Sequence, residues 1–438
     1  MLLKSEILQG NQLSSNAPIF KQEGSKLVFN GTFNNQRACF SMSESQLSRH
    51  ILFLGGTGSG KTNVIIQFIR QLKKSMRPND IMLIFDSKRD FREFHSSNDC
   101  VLTNTGYQGK AKQIYWNLFT EVVFDGWGFE EVSINTDELS YGVFSDSIEK
   151  SSQPFFPRAA SDVFSAVIKG MCRIGRDDLD YRDKYLNNMA LSVYLKKLNA
   201  SALNEFLKPF PDLSGVSRYV GDGKSQQALG VFGELESITN HLFIKSFGRD
   251  SGSSFRRFEK MRNGKTLFIE YDASLGSVFN SVYSVIMDLF LKECLSPDNA
   301  NGKVYVVVDE LKLLPYLNHF EDALNFGRSL GLSVIAGIQS MEQLYEVYGE
   351  QRGKNIASAF QNLICMSTNN LASREYIKGV YGQNLISYSY LDSSKQVTNE
   401  TRIGNVVEDW DISQLQVGEG IVGLAESNPF VFKFGKSK

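Results

Sequence analysis

A glycine-rich loop between a predicted strand and a predicted helix is the feature that most restricts what this chain can fold into. Residues 55–62 read Gly-Gly-Thr-Gly-Ser-Gly-Lys-Thr, which matches the pattern G-x-x-x-x-G-K-[ST]. The apolar run 50–54 precedes the loop, and residues 63–74 carry apolar side chains at helical spacing. Such a loop turns backbone N–H groups toward phosphate oxygens at a helix N-terminus. A tight glycine turn without a ligand is the alternative, and the flanking strand and helix argue against it.

The chemistry of this loop predicts ATP and Mg²⁺ as its ligands. The Lys61 ammonium should reach the β and γ phosphates, and the Thr62 hydroxyl should bind Mg²⁺. The residues predicted to bind the nucleotide are Gly55, Gly56, Thr57, Gly58, Ser59, Gly60, Lys61 and Thr62. Hydrolysis needs a second, acidic element.

That acidic element follows a second apolar run. Residues 303–310 read Lys-Val-Tyr-Val-Val-Val-Asp-Glu. The run predicts a strand that is buried on both faces and delivers two acids at its carboxyl end, where ligands bind in open α/β sheets. Asp309 is predicted to hold Mg²⁺, and Glu310 to polarise the attacking water. The alternative is that both acids only cap the following helix.

Phosphoryl transfer also needs positive charge on the transferring group and a side chain that senses the γ phosphate. The run 333–338 predicts a third buried strand, and Gln339 at its end is the predicted sensor. Arg328, on the preceding amphipathic helix, is predicted to act as an arginine finger toward a neighbouring subunit. The alternatives are a strand-ending turn residue for Gln339 and a solvated surface side chain for Arg328.

The order of the patterns predicts an α/β domain with a mostly parallel sheet, split around an inserted all-α domain. Strand patterns at 50–54 and 81–85 end near residue 86, and further ones follow at 266–271, 304–308, 333–338, 363–367 and 420–424. Residues 157–247 show helical spacing only. Turn signals Asn-Gly and Asn-Asn within 26–41 predict a β-hairpin. The predicted domains are an N-terminal β-hairpin region at 1–50, a nucleotide-binding domain at 51–125 and 260–438, and an all-α domain at 150–255. The run 113–149, which has no Lys or Arg, is interpreted as a solvated acidic linker or surface.

Composition excludes several classes of protein. The 438 residues include 47 Lys and Arg against 48 Asp and Glu, and 42% are hydrophobic, which is typical of a globular protein and excludes a disordered tail, a collagen-like fibre and a histone-like basic protein. The five scattered cysteines predict free thiols in a reducing cytoplasm. No run supplies the roughly 20 apolar residues of a membrane span, and the N-terminus lacks a secretory signal. The predicted location is the cytoplasm, or the periphery of the cell membrane at its inner face.

Taken in order, these motifs resemble those of one family. The loop GGTGSGKT is followed by Asp86-Ser-Lys after a second strand, then by VVVDEL, Gly-Arg328-Ser and the run Q-S-x-x-Q-L-x-x-x-Y-G at 339–349. This order resembles the type IV secretion coupling proteins of the TraD/TrwB type, within the FtsK/HerA group of ring-forming DNA pumps. The resemblance covers about two thirds of the chain and implies a RecA-like P-loop NTPase domain with an inserted all-α domain. It implies that Lys61 binds phosphate and that Thr62 and Asp309 bind Mg²⁺. It also implies that Glu310 is the catalytic residue, Gln339 the sensor and Arg328 the arginine finger.

Three departures from the family pattern bear on these expectations. Family members typically carry N-terminal transmembrane helices, which this sequence lacks, so membrane contact is expected to be indirect. The family element D-P-[KN]-G reads Asp86-Ser-Lys-Arg89 here, which predicts a different local turn. The formal charge of −1 contrasts with the basic footprint of DNA binders. The densest basic cluster, 256–262, is interpreted either as a pore contact to DNA or as a solvated helix face.

Together these features predict a homohexameric motor that couples ATP hydrolysis to DNA movement in conjugation-type transfer. The predicted partners are single- or double-stranded DNA, a relaxase or secretion-system proteins, and further copies of the chain. Two alternatives stay open: a soluble FtsK/HerA-type pump for double-stranded DNA, and an ATP-gated platform that recruits protein substrates and moves nothing. Turnover stimulated by DNA would favour a pump. Turnover indifferent to DNA, with tight protein binding, would favour the platform.

Overall fold

The computed structural model describes residues 2–14, 25–260, 262–296, 302–315, 317–391 and 397–437. The chain divides into two compact units. The P-loop unit comprises Met1–Arg77, Gly302–Lys312 and Leu324–Lys438, and the helical unit comprises Pro78–Asn301 and Leu313–Ala323. Every residue predicted to form the nucleotide site lies in the P-loop unit.

The strands of the described residues are numbered in chain order. They are β1 (Leu2–Gln9), β2 (Leu27–Phe33), β3 (Gln36–Met42), β4 (Ile51–Leu54), β5 (Ile81–Asp86), β6 (Cys100–Leu102), β7 (Lys112–Gln113), β8 (Lys265–Glu270), β9 (Val304–Val308), β10 (Leu332–Ile338), β11 (Asn362–Met366), β12 (Gln383–Leu391), β13 (Val397–Asn405), β14 (Glu419–Gly423) and β15 (Phe430–Phe434). Runs predicted as strands at 50–54, 81–85, 266–271, 304–308, 333–338, 363–367 and 420–424 correspond to seven of these to within one residue at each end.

The α-helices of the same residues are numbered likewise. They are α1 (Glu44–Leu47), α2 (Lys61–Ser75), α3 (Leu118–Val122), α4 (Phe129–Lys150), α5 (Phe155–Asp177), α6 (Leu179–Tyr185), α7 (Asn188–Lys196), α8 (Ala200–Leu207), α9 (Ser217–Val220), α10 (Gln226–Leu242), α11 (Arg256–Lys260), α12 (Gly276–Cys294), α13 (Phe320–Phe326), α14 (Met341–Tyr348), α15 (Glu350–Ala359), α16 (Leu371–Tyr381) and α17 (Asp409–Ser413). Short 3₁₀ turns lie at Arg92–Phe94, Ser214–Val216, Lys245–Phe247, Leu311–Leu313 and Gly327–Leu330. No helix in the described part of the chain is both long and apolar enough to cross a membrane.

Four parallel strands form the part of the P-loop unit that positions the site. The strands of this unit's larger sheet run in the order β3-β2-β15-β14-β11-β4-β10-β9. β4 lies between β10 and β11 and is parallel to both, and β9 is parallel to β10. Every residue of these four strands is buried, as expected of parallel strands that are covered on both faces. Because the four strands are parallel, their carboxyl ends meet at one edge of the sheet.

The β-hairpin predicted near the N-terminus is confirmed. β2 and β3 pair antiparallel along their whole length. The connecting residues Asn34 and Asn35 have φ angles of 48° and 61°, the left-handed conformation that asparagine tolerates in hairpin turns. Gly31, which was also part of a turn signal, lies inside β2. A Cβ atom there would come within 2.0 Å of Lys433 O, so glycine is needed at that position for strand pairing.

A three-stranded antiparallel sheet of the P-loop unit has no counterpart in the predictions. Its strand order is β1-β12-β13. Most side chains of β13 are exposed, and the strand carries Thr, Asn, Glu and Arg in place of a continuous apolar run. Because strands are predicted from runs or alternation of apolar residues, a polar strand of this kind is not predicted from the sequence.

The helical unit combines four parallel strands with a long helical segment. β8 lies between β5 and β6, β7 pairs with β6, and all these pairs are parallel. Residues 118–260, all of which the structure describes, contain helices and no strand. Among the strand pairs of the helical unit and of the larger sheet in the P-loop unit, parallel pairs outnumber antiparallel pairs. The α/β class with an inserted all-α segment is thus confirmed, while the domain boundaries drawn from the sequence stay predictions.

The acidic run 113–149 is folded and is not a linker, whereas most of its acidic side chains are exposed, as the surface interpretation expects. It contributes β7, α3 and most of α4. Glu121 on α3 is buried and accepts hydrogen bonds from Trp116 Nε1 at 3.2 Å, from Ser254 Oγ at 2.6 Å and from Phe255 N at 2.5 Å. Burial raises the pKa of Glu121. Two of these donors come from more than 130 residues further along the chain, so no local pattern could indicate this burial.

His319 connects two helices of the helical unit. Its backbone N–H donates to Asp288 Oδ1 of α12 at 2.7 Å, and its Nδ1 lies 3.0 Å from Asp288 Oδ2. Its Nε2 lies 3.4 Å from Glu138 Oε1 of α4, and Lys292 of α12 pairs with the same carboxylate. The hydrogen bond to Asp288 raises the pKa of His319 above its usual value of 6.5, and this outweighs the opposing effect of partial burial.

This contact makes stability depend on pH in a defined direction. A histidine whose pKa is raised by folding stabilises the fold fully below the unfolded pKa and loses that contribution as pH rises through the folded pKa. We therefore expect the urea concentration at half-unfolding to be lower at about pH 8 than at about pH 6. The difference between the two pH values should be smaller in His319→Gln. Urea denaturation followed by circular dichroism at both pH values measures the difference. Equal pH dependence in the two proteins would contradict this role for His319.

Candidate functional site

The glycine-rich loop is anchored between two strand ends. β4 leads into the loop, and α2 begins at Lys61, so the predicted order of strand, loop and helix is confirmed. Gly55 N–H donates to Ile338 O at the end of β10, at 3.3 Å. Gly56 N–H donates to Ser367 O directly after β11, at 2.9 Å. These bonds hold the loop at the carboxyl edge of the parallel strands.

The backbone of the loop forms a cradle. Gly58 and Gly60 have φ angles of 77° and 108°, in the left-handed region that favours glycine. A Cβ atom at Gly58 would meet nothing within 4 Å, whereas one at Gly60 would lie 3.1 Å from Gly418 Cα. Gly418 N–H also donates to Ser59 O at 2.9 Å. The cradle is thus open beside Gly58 and supported from behind by Gly418, which fits a bound phosphate.

Lys61 lies over this cradle. Its Nζ donates to Gly55 O and, at 3.2 Å, to Gly56 O. Thr62 follows in the first turn of α2 and is half-buried. The ammonium therefore already lies beside the loop carbonyls, where it can exchange these acceptors for phosphate oxygens.

Asp309 and Glu310 follow β9 at the same edge of the sheet. Their exposed fractions are 7% and 8%, so both residues are largely shielded from water. A Cβ atom at Gly337 would lie 2.3 Å from Asp309 O, so β10 approaches Asp309 to a distance that only glycine allows. Carboxylate oxygens are ligands that Mg²⁺ prefers. The pair therefore fits a metal ligand and a base beside the phosphate cradle.

Gln339 links the loop to the acidic pair. Its amide Nε2 donates to Glu310 Oε2 at 2.6 Å, and its Oε1 accepts from the Thr57 hydroxyl at 2.9 Å. Gln339 thus contacts both the loop and the predicted base, which is the position that a sensor of the γ phosphate needs.

A cleft of about 520 Å³ opens beside these groups. It is lined by Gly56, Thr57, Gly58, Ser59, Gln339, Ser340, Gln343, Ser367, Thr368, Asn369, Asn370, Leu415 and Val417. All lining side chains are uncharged. The helices α14 and α16 begin directly after the lining residues Ser340 and Asn370. Helix N-termini favour an anionic ligand. The lining residues after Gln339 were not predicted as site residues. For 367–370 a signal existed, because polar residues directly follow a strand that the apolar pattern does predict.

Comparison with known proteins assigns the family. A family model described as the type IV secretion-system coupling protein DNA-binding domain matches residues 35–432. This chain belongs to that family. The coupling protein VirD4 of Bartonella henselae is 26% identical over 214 residues, which cover 46% of this chain and 32% of VirD4. The coupling protein TraD of Escherichia coli K12 is 21% identical over 352 residues, which cover 78% of this chain and 44% of TraD. The chain spans less than half the length of these relatives.

Solved structures of the conjugative coupling protein TrwB show the same fold. The unbound monoclinic form of TrwBΔN70 is 19% identical, with a TM-score of 0.77 over 99% of this chain and 94% of that chain. TrwB in complex with ADP and Mg²⁺ gives a TM-score of 0.74 at 20% identity over 99% and 95% of the chains. The RecA-like fold with an all-α domain, which the family resemblance implies, is thus confirmed.

Arg328 lies at the other end of β10 from the cleft. It is exposed on the 3₁₀ turn that precedes β10, whereas Gln339 follows the strand. A seven-residue strand spans roughly 23 Å, so Arg328 cannot reach the cleft of its own chain. Burial lowers the pKa of nearby His50 to about 4, and the Arg328 charge adds to this effect. The structure thus excludes Arg328 as a finger toward the cleft of its own chain.

The turn after β5 differs from the family element in sequence. Asp86 is buried and accepts the backbone N–H groups of Lys88, Asp90 and Phe91 at 3.0–3.3 Å. Burial raises its pKa to about 6. Arg89, at the family's glycine position, has a φ angle of 64°, a conformation that costs a non-glycine residue roughly 1 kcal/mol. Arg89 therefore adopts a backbone conformation that glycine takes without strain.

The basic cluster 256–262 does not form one exposed DNA contact. Arg256 is 4% exposed and pairs with Asp125 at 2.8 Å and with Glu293 at 3.2 Å, while its guanidinium lies 4.3 Å from the Phe124 ring centroid. Both interpretations of the cluster are wrong for this residue, because its charge is neutralised inside the helical unit. Among the described arginines of the cluster, Arg257 is exposed and Arg262 is half-buried.

Proposed function

We propose that the chain is an ATPase whose hydrolysis cycle moves DNA during conjugation-type transfer. The observation that carries the proposal is the chain of contacts at one sheet edge, from Thr57 of the loop through Gln339 to Glu310. Hydrolysis of a nucleoside triphosphate needs such a base beside a phosphate cradle. Support for ATP comes from the TrwB structure with ADP and Mg²⁺. Support for DNA comes from the description of the matching family model.

The loop residues of the chain would bind and orient the triphosphate. Backbone N–H groups of 55–62 and the Lys61 ammonium would neutralise its negative charge. Thr62 and Asp309 would hold Mg²⁺, which when bound withdraws charge from the phosphate oxygens. Glu310 takes the proton of the attacking water as the bond to the ADP leaving group breaks. Gln339 would report the presence of the γ phosphate to Glu310, since it touches both sides of the cleft.

A neighbouring copy would complete this site. Because Arg328 lies at the far end of β10 from its own cleft, it can act as a finger only in trans, which supports a ring in which each subunit serves its neighbour. A homohexamer is the proposed assembly. The proposed partners are DNA, single- or double-stranded, and relaxase or secretion-system proteins. The proposed location is the cytoplasm or the inner face of the cell membrane.

The test is ATP hydrolysis with and without DNA. We expect single- or double-stranded DNA to stimulate ATP turnover of the unmodified chain, because a DNA motor couples ATP hydrolysis to its movement along DNA. Stimulation by duplex alone would favour the double-strand pump. Turnover that ignores DNA, together with tight relaxase binding, would favour the recruitment platform and overturn the motor.

The trans role of Arg328 can be tested by mixing two inactive variants. Rings assembled from Glu310→Gln and Arg328→Ala subunits contain some interfaces with both lesions and some with neither. We expect partial recovery of turnover relative to either variant alone, because the intact interfaces regain a full site. Arg402→Ala, at an exposed arginine of β13, serves as the control that should keep full activity. If Arg328→Ala also keeps full activity, the finger is another residue.

A further inference from the structure

Arg374 contacts the wall of the cleft, although it is not among the lining residues. It lies near the start of α16, whose N-cap is Asn370. Its Nε–H donates to Thr368 O at 3.1 Å, and its Nη2 donates to Asn369 Oδ1 at 3.2 Å. Thr368 and Asn369 both line the cleft. The guanidinium is thus bonded to two residues of the wall that a nucleotide in the cleft would meet.

The charge of Arg374 has no partner of opposite sign among the residues that the structure describes. Both of its acceptors, a carbonyl oxygen and an amide oxygen, are neutral. By contrast, Lys378, one turn further along α16, pairs with Glu375 and Asp409. Arg374 is half-buried, and a charge that is withdrawn from water is normally paired with an opposite charge. An anionic ligand in the cleft would supply that opposite charge.

The guanidinium of Arg374 keeps donors for such a ligand. Its N–H groups lie in one plane, and the two hydrogen bonds to the wall use Nε and one N–H group of Nη2. The N–H groups of Nη1 and the second one of Nη2 form no hydrogen bond within the described part of the chain. This pair of nitrogens can bind phosphate oxygens bidentately. The bonds to the wall also restrict the side chain, so it loses less freedom when a ligand binds.

The cleft needs positive charge beyond that of Lys61. All of its lining side chains are uncharged, whereas a nucleoside triphosphate brings several negative charges whose distribution changes during phosphoryl transfer. The helix N-termini at the cleft carry only partial charges. Arg328 lies at the far end of β10 from the cleft of its own chain. Arg374 contacts the cleft wall within the same chain.

We infer that Arg374 is a second phosphate-binding cation of the cleft, which acts within its own chain through Nη1 and Nη2. It neutralises phosphate charge together with Lys61, and the two hydrogen bonds to the wall hold its guanidinium in place. Arg328 is then left for the cleft of a neighbouring copy. The inference rests on the proposed function, because the phosphate belongs to the nucleotide of the same cleft.

Equilibrium binding of a non-hydrolysable ATP analogue in the presence of Mg²⁺ tests this role. We expect Arg374→Gln to lower the affinity by about tenfold or more, the effect of losing a charge-assisted hydrogen bond. Arg374→Lys keeps the charge and should recover part of the affinity. The loss in Arg374→Gln should also be larger at about 0.05 M than at about 0.5 M salt, because salt screens the attraction between charges.

Lys378→Gln is the matched control, because it removes the same charge from the same helix. Its cation is already paired with carboxylates, so this variant should bind the analogue as the unmodified chain does. Thermal unfolding of Arg374→Gln and Arg374→Lys checks that both variants are folded. Arg374 is only half-buried, so we expect the P-loop unit to tolerate both replacements.

The outcomes separate this role from the function on which it rests. Equal affinity of Arg374→Gln and the unmodified chain would overturn the role of Arg374 alone. A loss that is the same in Arg374→Lys and does not change with salt would mean that Arg374 only supports the wall, which also overturns the inference. Absence of analogue binding by the unmodified chain would overturn the proposed function and the inference together.

Discussion

Lys61→Ala should abolish ATP turnover, with a loss of about 10³-fold or more, the order expected when a preorganised charge in a closed site is removed. The Lys61 ammonium lies over the loop carbonyls of Gly55 and Gly56, and all side chains that line the cleft are uncharged. No lining side chain can therefore replace the lost cation at the β and γ phosphates. Nucleotide affinity should fall as well. Steady-state hydrolysis and equilibrium binding of a fluorescent ATP analogue measure the two effects.

The matched control for Lys61 is a lysine of the same helix. Lys74 is exposed in the last turn of α2, outside the cleft, so Lys74→Ala should retain the turnover of the unmodified chain. Turnover in Lys61→Ala that equals that of Lys74→Ala would show that the loop is a glycine turn without a catalytic role. The fold itself should survive both changes, because both side chains reach the surface of the unit.

Glu310→Gln should behave differently, because it separates hydrolysis from binding. The amide cannot accept the proton of the attacking water, so hydrolysis should fall by about 10²-fold or more. Asp309 and the loop are untouched, so ATP and Mg²⁺ should still bind, and the variant should retain unhydrolysed ATP. Rapid filtration with labelled ATP measures retention, and phosphate release measures turnover.

An exposed glutamate next to the cleft provides the control for this variant. Glu342 lies in the first turn of α14, is exposed, and is not among the lining residues. Glu342→Gln should therefore hydrolyse ATP at the normal rate. Normal turnover in Glu310→Gln would remove Glu310 from the role of base, and loss of ATP binding in that variant would mean that Glu310 acts mainly in metal or phosphate binding.

The parts that sequence reasoning predicted well share one property: each depends on a short continuous run. β4, β9, β10 and β11 are buried on both faces, so their apolar runs carry the signal without any knowledge of partners. Gln339 was predicted as a sensor from its position after β10, and the structure places it in contact with both Thr57 and Glu310. By contrast, the apolar run of β11 indicated a strand that ends near 367–370, but it did not reveal that β11 lies beside β4, which places these residues at the cleft.

The amino-acid sequence by itself determined the chemistry of this protein's candidate site. The glycine pattern requires a left-handed backbone at Gly58 and Gly60, and the acids after a fully apolar strand must emerge at the carboxyl edge of a parallel sheet. These consequences follow from local sterics and hydrophobicity, so they do not depend on the rest of the chain.

Only the tertiary structure decided which charges are available. Arg256 and Arg257 are neighbours in sequence, yet Arg256 is buried against Asp125 and Glu293 while Arg257 is exposed. Arg328 and Gln339 are eleven residues apart, yet β10 separates them to opposite edges of the sheet. The physical reason is that the burial and pairing of a charge depend on segments far away in the chain, and a local pattern carries no information about those segments until the chain has folded.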